Sequence, residues 1–83
     1  MAASDPEITI ADRGEFIVYR DDSRELVFEC FLGESPLRLN ASCYFDGRNR
    51  TVPMRLSTIE REVVVPALVA FLQAKGEAVE VVW

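Results

Sequence analysis

Histidine is absent from this 83-residue chain, which removes the commonest general base near neutral pH and the commonest metal ligand. A Ser-His-Asp or Cys-His catalytic arrangement therefore cannot form within the chain. Lysine occurs once, at Lys75, and the four glycines are scattered among turns, so no glycine-rich phosphate-binding motif is present. These absences favour a non-enzymatic protein without a cofactor or metal. An enzyme built on a carboxylate such as Asp21 or Asp22 is the last of the alternatives.

Long apolar runs and positive charge are also missing. No segment approaches the roughly 18 apolar residues that a membrane span needs, and residues 1–7 lack the basic start and apolar stretch of a signal peptide. The net charge is −5, from 14 acidic and nine basic residues. Because phosphate groups and anionic lipids attract clustered Lys and Arg, we expect no nucleic acid or membrane partner. The expected location is cytoplasmic.

Apolar residues are, by contrast, abundant for so small a chain. They make up 49% of it, whereas a domain of this size buries only about 60–65% of the surface of its unfolded chain. We therefore expect a single domain over residues 7–83, after a flexible tail over residues 1–6, with more apolar surface than one core can hide. That excess favours a homodimer or a protein partner.

Short alternating segments between turn-forming residues predict strands in the first two thirds of the chain. These are Phe16–Arg20, Glu25–Leu32, Leu37–Phe45 and Thr51–Leu56, with a further short strand at Ile8–Ile10. The alternation predicts that Cys30 lies opposite Leu39 and that Ala41 lies opposite Met54. The simplest arrangement is an antiparallel meander.

A helix is predicted after the meander. Ser57 and Glu60 have the spacing of a capping box, a largely apolar run follows, and Gly76 after Lys75 matches a left-handed C-terminal cap. Pro66 interrupts this run, and we expect one kinked helix. The alternative begins the helix at Pro66.

The fold class is therefore α+β: a four- to five-stranded, mostly antiparallel β-meander, one long C-terminal helix packed on one face, and a final C-terminal strand over Val79–Trp83. Pro53 cannot donate to a ladder, so its strand is expected at a sheet edge. The terminal strand is expected at the opposite edge, beside Phe16–Arg20.

The first candidate site is an apolar sheet face. Alternation places four side chains away from the helix, as an interface for a second copy or a protein partner: Phe16, Val18, Val27 and Phe31. The alternative is that the segment Ile8–Ile10 folds over this face and covers it.

The second candidate site is a small anionic-ligand site on the polar face of the arginine-rich hairpin over residues 38–55. Its expected members are Arg38, Asn40, Tyr44 and Arg55, because guanidinium groups beside hydroxyl and amide groups bind carboxylate or phosphate. The alternative is a solvated face with cross-strand polar pairs. Cys30 and Cys43 are expected to be buried free thiols that lie too far apart for a disulfide.

Overall fold

Seven strands of a single mixed sheet precede and follow one helix in the computed structural model, which describes residues 6–22, 24–31, 33 and 35–83. The strands are β1 Glu7–Ala11, β2 Phe16–Arg20, β3 Glu25–Phe31, β4 Leu37–Asn40, β5 Tyr44–Asp46, β6 Asn49–Met54 and β7 Val79–Val82. The α+β class is confirmed, although the seven strands outnumber the predicted meander of four or five strands with one further C-terminal strand. Of the predicted tail over residues 1–6, only Pro6 lies within the described residues.

The seven strands occupy five positions across the sheet. The sheet runs β1-β2-β3-β4-β7, while β5 pairs with β3 and with β6. The Cys30 amide donates a hydrogen bond to the Glu15 carbonyl, which lies next to β2, so this side of β3 faces β2. The other side of β3 pairs first with β4 and then, further along, with β5. The fifth position across the sheet is then shared by β7, which pairs with β4, and β6, which pairs with β5.

The predicted strand Leu37–Phe45 is broken at residues 41–43. The register before the break is as expected, with Cys30 opposite Leu39. After the break the register is shifted by three residues, because Leu26 lies opposite Asp46, whereas an unbroken strand would place it opposite Cys43. The predicted pairing of Ala41 with Met54 is therefore wrong, because the register shifts between Tyr44 and Asp46, where β6 contains extra residues, and Met54 lies opposite Tyr44.

Two predictions about the first and last strands are wrong, and one about Pro53 is confirmed. The terminal strand β7 pairs in parallel with β4, and the position beside β2 that was predicted for it is taken by β1. The alternative in which Ile8–Ile10 covers the open face is wrong as well, because β1 extends the sheet and turns Ile8 and Ile10 toward the core. Pro53 does lie on an edge strand, since β6 pairs with β5 alone among the described strands.

The helix is continuous through Pro66, so the alternative that begins it at this residue is wrong. A π-helical turn over Glu60–Val64 leads directly into α1, Val65–Ala74, and the Val65 amide donates to the Glu60 carbonyl. A proline ring collides with the carbonyl four residues earlier, and a widened turn just before it relieves that collision. Within the described residues, no helix is long and apolar enough to cross a membrane.

The end of the helix follows the sequence prediction. Gly76 adopts a φ of 88°, which is open to glycine at little steric cost. Its amide donates to the Gln73 carbonyl at 2.9 Å, and the Glu77 amide donates to the Leu72 carbonyl at 3.1 Å. These two bonds form a Schellman motif, which satisfies the last carbonyls of the helix.

One face of the sheet packs against the helix and forms the core. The helix contributes four buried side chains, Val64, Val65, Leu68 and Leu72. The sheet contributes, among others, Ile17, Leu26, Phe28, Cys30, Leu37 and Leu39.

Glu60 connects the start of the helix to the sheet, although it is a carboxylate with only 3% of its surface exposed. The Ser57 amide donates to its Oε1 at 3.4 Å, the Ser57 hydroxyl donates to Oε2, and the Arg24 guanidinium lies 3.5 Å from Oε2. Half of the predicted capping box is thus confirmed, whereas the Ser57 hydroxyl binds the carboxylate instead of a helix amide. The Tyr44 hydroxyl is hydrogen-bonded to the same carboxylate.

These contacts set the protonation of both groups. Burial acts to raise the pKa of Glu60, but the hydrogen bonds from Ser57 and the charge of Arg24 outweigh it, so the net pKa is lowered from 4.5. Burial, and after it the negative charge of Glu60, raise the pKa of Tyr44. At neutral pH the cluster therefore holds a charged Glu60 and a neutral Tyr44.

We predict that Glu60→Gln lowers the free energy of unfolding at neutral pH by about 1–3 kcal/mol, because hydrogen bonds to a charged acceptor are lost. Since the folded pKa is lowered, this stabilisation is present above pH 4.5 and is lost as the pH falls through the folded pKa. The difference between wild type and variant, measured by urea unfolding, should shrink in acid. Glu62→Gln, on an exposed residue of the same helical turn, is the matched control. Equal stability of the two variants at neutral pH would contradict the role of Glu60.

Candidate functional site

The sheet face opposite the helix carries the predicted interface residues. Val18 lies opposite Val27, Phe16 opposite Glu29 and Phe31 opposite Arg38. Because alternate residues of a strand point to the same side, these side chains share one face. Neither Val18 nor Val27 belongs to the core cluster beneath the helix, which agrees with this placement.

Burial divides the four predicted interface residues into two pairs. Val27 is 0% and Val18 8% exposed, so neighbouring side chains of the chain itself already cover them. Phe16 is half-buried and Phe31 is 49% exposed. Of these four residues, only Phe16 and Phe31 are therefore accessible to a partner.

Two adjoining depressions cross this face and form what we call the sheet groove. The first has a volume of about 200 Å³ and is lined by Glu15, Phe16, Glu29 and Phe31. The second has a volume of about 390 Å³, shares Glu29 and Phe31 with the first, and adds Arg38, Asn40, Ser42, Val82 and Trp83. The groove thus joins part of the predicted apolar interface to part of the predicted arginine site.

Sequence reasoning missed five groove residues, of which Trp83 is the largest; the others are Glu15, Glu29, Ser42 and Val82. The pattern placed β7 at the edge beside β2, but β7 pairs with β4, where Val82 lies opposite Asn40. Trp83, which follows Val82, is brought to the groove and is 62% exposed. The available signal was the position of this single tryptophan directly after a strand.

The four predicted anion-binding residues do not converge. Arg38 and Asn40 line the sheet groove, but Tyr44 is buried on the helix side, with its ring 6.0 Å from the Phe28 ring. The break at residues 41–43 is the reason, because it changes which side of the sheet the following residues face. Arg55 is exposed after the end of β6 and does not line the groove.

The groove contains charges of both signs. Arg38 is exposed and lies within 4.0 Å of no carboxylate among the described residues, although Glu80 is its neighbour on β7. Glu29 lines the same groove. An anion bound at Arg38 would therefore be close to a carboxylate, which disfavours a site for a small anion alone.

The remaining chemistry-bearing groups are dispersed. In the part of the chain that the structure describes, no three His, Cys, Asp or Glu side chains gather as a metal site would require. Cys30 and Cys43 are both free thiols, and only Cys30 is fully buried. Burial raises the pKa of Cys30 to about 11, and its thiol donates to the Gly14 carbonyl at 3.3 Å.

Comparison with protein-family models, with curated proteins and with solved structures finds no match to this chain. The interpretation of the site therefore depends on its own geometry.

We predict that a thiol reagent such as Ellman's reagent modifies Cys43 rapidly at neutral pH and reaches Cys30 only on unfolding. The reacting species is the thiolate, and a buried thiol with a pKa of about 11 supplies almost none. Cys43→Ser should abolish the rapid phase and leave a single thiol that becomes reactive in denaturant. Two rapidly reacting thiols in the native protein would contradict the burial of Cys30.

Proposed function

We propose that this chain is a non-enzymatic interaction module and that the sheet groove binds a protein partner. The observation that carries the proposal is the pair of exposed aromatic side chains, Phe31 and Trp83, that line one groove on a face that no described helix covers. Large aromatic side chains dominate the binding energy at the centres of protein interfaces. Single exposed apolar residues are common on protein surfaces, whereas a contiguous apolar patch marks an interaction site.

The composition of the groove also suits a protein partner. Phe16, Phe31 and Val82 provide apolar area, while Glu29 and Arg38 provide charges of opposite sign at its margin. Protein interfaces combine an apolar centre with a polar rim in this way. A binding surface needs no catalytic group, which suits a chain with no histidine and a single lysine. The cytoplasmic location stays a prediction.

A small anionic ligand at Arg38 is the second candidate. It is supported by the absence of a described carboxylate within 4.0 Å of Arg38 and by the neighbouring Asn40 and Ser42. The Ser42 amide and hydroxyl both donate to the Asn40 side-chain oxygen, so this turn is well ordered by its own bonds. Glu29 opposes an anion in the same groove, which is why the candidate stands second.

We predict that Phe31→Glu and Trp83→Glu each abolish partner binding, measured by capture from a cell extract on the immobilised chain with identification by mass spectrometry. A charge at the centre of an apolar interface should weaken binding by at least about 30-fold. Ile59→Glu is the matched control, because Ile59 is 61% exposed but lies on the helix, away from the groove. Circular dichroism would establish that all three variants fold.

The proposal fails if wild type, Phe31→Glu and Trp83→Glu retain the same proteins to the same extent and also self-associate to the same extent. It also fails if the control loses the partner as completely as the groove variants do. Stabilisation of the protein by citrate or phosphate, abolished by Arg38→Ala, would favour the anionic-ligand candidate instead.

A further inference from the structure

Two opposite charges flank the exposed Phe31 in the sheet groove. Arg38 lies directly opposite Phe31 on β4, and Glu29 lies two residues before Phe31 on β3, so all three side chains share one face. Neither charged group is within 4.0 Å of an opposite charge among the described residues. The groove therefore presents an apolar centre with a negative group on one side and a positive group on the other.

We propose that the occupant of the sheet groove is a second copy of this chain, packed face to face about a two-fold axis that passes between Glu29 and Arg38. This inference rests on the proposed function of the groove as a protein-binding surface. An axis in that position sets each Glu29 against the second copy's Arg38, so that two ion pairs form. Phe31 is the register partner of Arg38 and lies close to the axis, where it meets its own copy.

Charge complementarity selects this occupant. A purely basic partner would place a like charge against Arg38, and a purely acidic partner would place one against Glu29; a like-charge contact across an interface costs several kcal/mol. A second copy provides both opposite charges and an aromatic centre at the matching spacing. Closed two-fold contacts, in which one patch meets itself, are also the commonest form of protein self-assembly.

The other charges near the groove are mostly negative and oppose the association of two copies. Glu15 lines the first depression and Glu80 is the neighbour of Arg38 on β7, so the groove is acidic outside the Arg38 position. The net charge of −5 opposes any approach of two copies. The association should therefore be measured at moderate ionic strength, which screens the long-range repulsion between exposed charges.

The test is sedimentation velocity of the purified full chain over a dilution series. Wild type should show a monomer–dimer equilibrium, and Phe31→Glu should raise the dissociation constant at least about 30-fold. Ile59→Glu, whose side chain lies on the helix, should leave the equilibrium unchanged. Phe31 is 49% exposed, so its replacement should leave the fold intact, which thermal unfolding would verify.

Charge reversal tests the two-fold arrangement itself. Glu29→Arg alone and Arg38→Glu alone should each raise the dissociation constant at least about tenfold, because each creates two like-charge contacts. The double variant Glu29→Arg/Arg38→Glu should recover dimerisation, since the pairs reform with reversed signs. An equimolar mixture of the two single variants should form a heterodimer, because both contacts are then between opposite charges.

The outcomes separate this inference from the function on which it rests. A wild type that stays monomeric at every concentration overturns the second copy, while capture of a different protein by the groove would leave the interaction module standing. A dimer that is insensitive to Phe31→Glu and to both charge reversals uses another surface, and this also overturns the inference. If the groove variants change neither self-association nor capture, both proposals fail.

Discussion

The buried carboxylate of Glu60 joins three parts of the chain that are distant in sequence. It binds Ser57 at the start of the helix, Arg24 at the β2–β3 turn and Tyr44 in β5. Loss of any partner would leave a buried charge incompletely compensated, which is strongly unfavourable. The cluster therefore fixes the helix on one side of the sheet. The groove lies on the opposite side, which none of the described helical residues covers.

The helix ends could be predicted from the sequence, because they depend on neighbouring residues. The break in the predicted strand Leu37–Phe45 could not, because it involves contacts between distant residues. The spacing of Ser57 and Glu60 and the position of Gly76 specify the helix ends through nearby hydrogen bonds. The apolar alternation from Leu37 to Phe45, by contrast, predicts one unbroken strand. The break at residues 41–43 instead turns Tyr44 toward Phe28 and Glu60, and no local pattern records those contacts.

The candidate site was predictable to a similar extent. Alternation alone places Phe16, Phe31 and Arg38 on one face, and their register is as expected where β3 meets β4. The burial of Val18 and Val27 depends on neighbouring side chains, so a strand pattern cannot reveal it. Trp83 reaches the groove only because β1 occupies the edge beside β2 and leaves the position beside β4 to β7. The groove contains fewer of the predicted apolar residues than expected, and Glu29 adds a negative charge that neither predicted site included.

Burial of the sheet groove against another copy of the chain would change the surroundings of Trp83, so the fluorescence of this residue tests the proposed dimer most directly. This residue is the only tryptophan in the chain, and it lines the groove with 62% of its surface exposed. As the protein concentration rises through a dilution series, its emission should shift to shorter wavelength and its quenching by acrylamide should decrease. An emission maximum and a quenching constant that stay the same from the most dilute to the most concentrated sample, at the values of an exposed indole, would contradict the account.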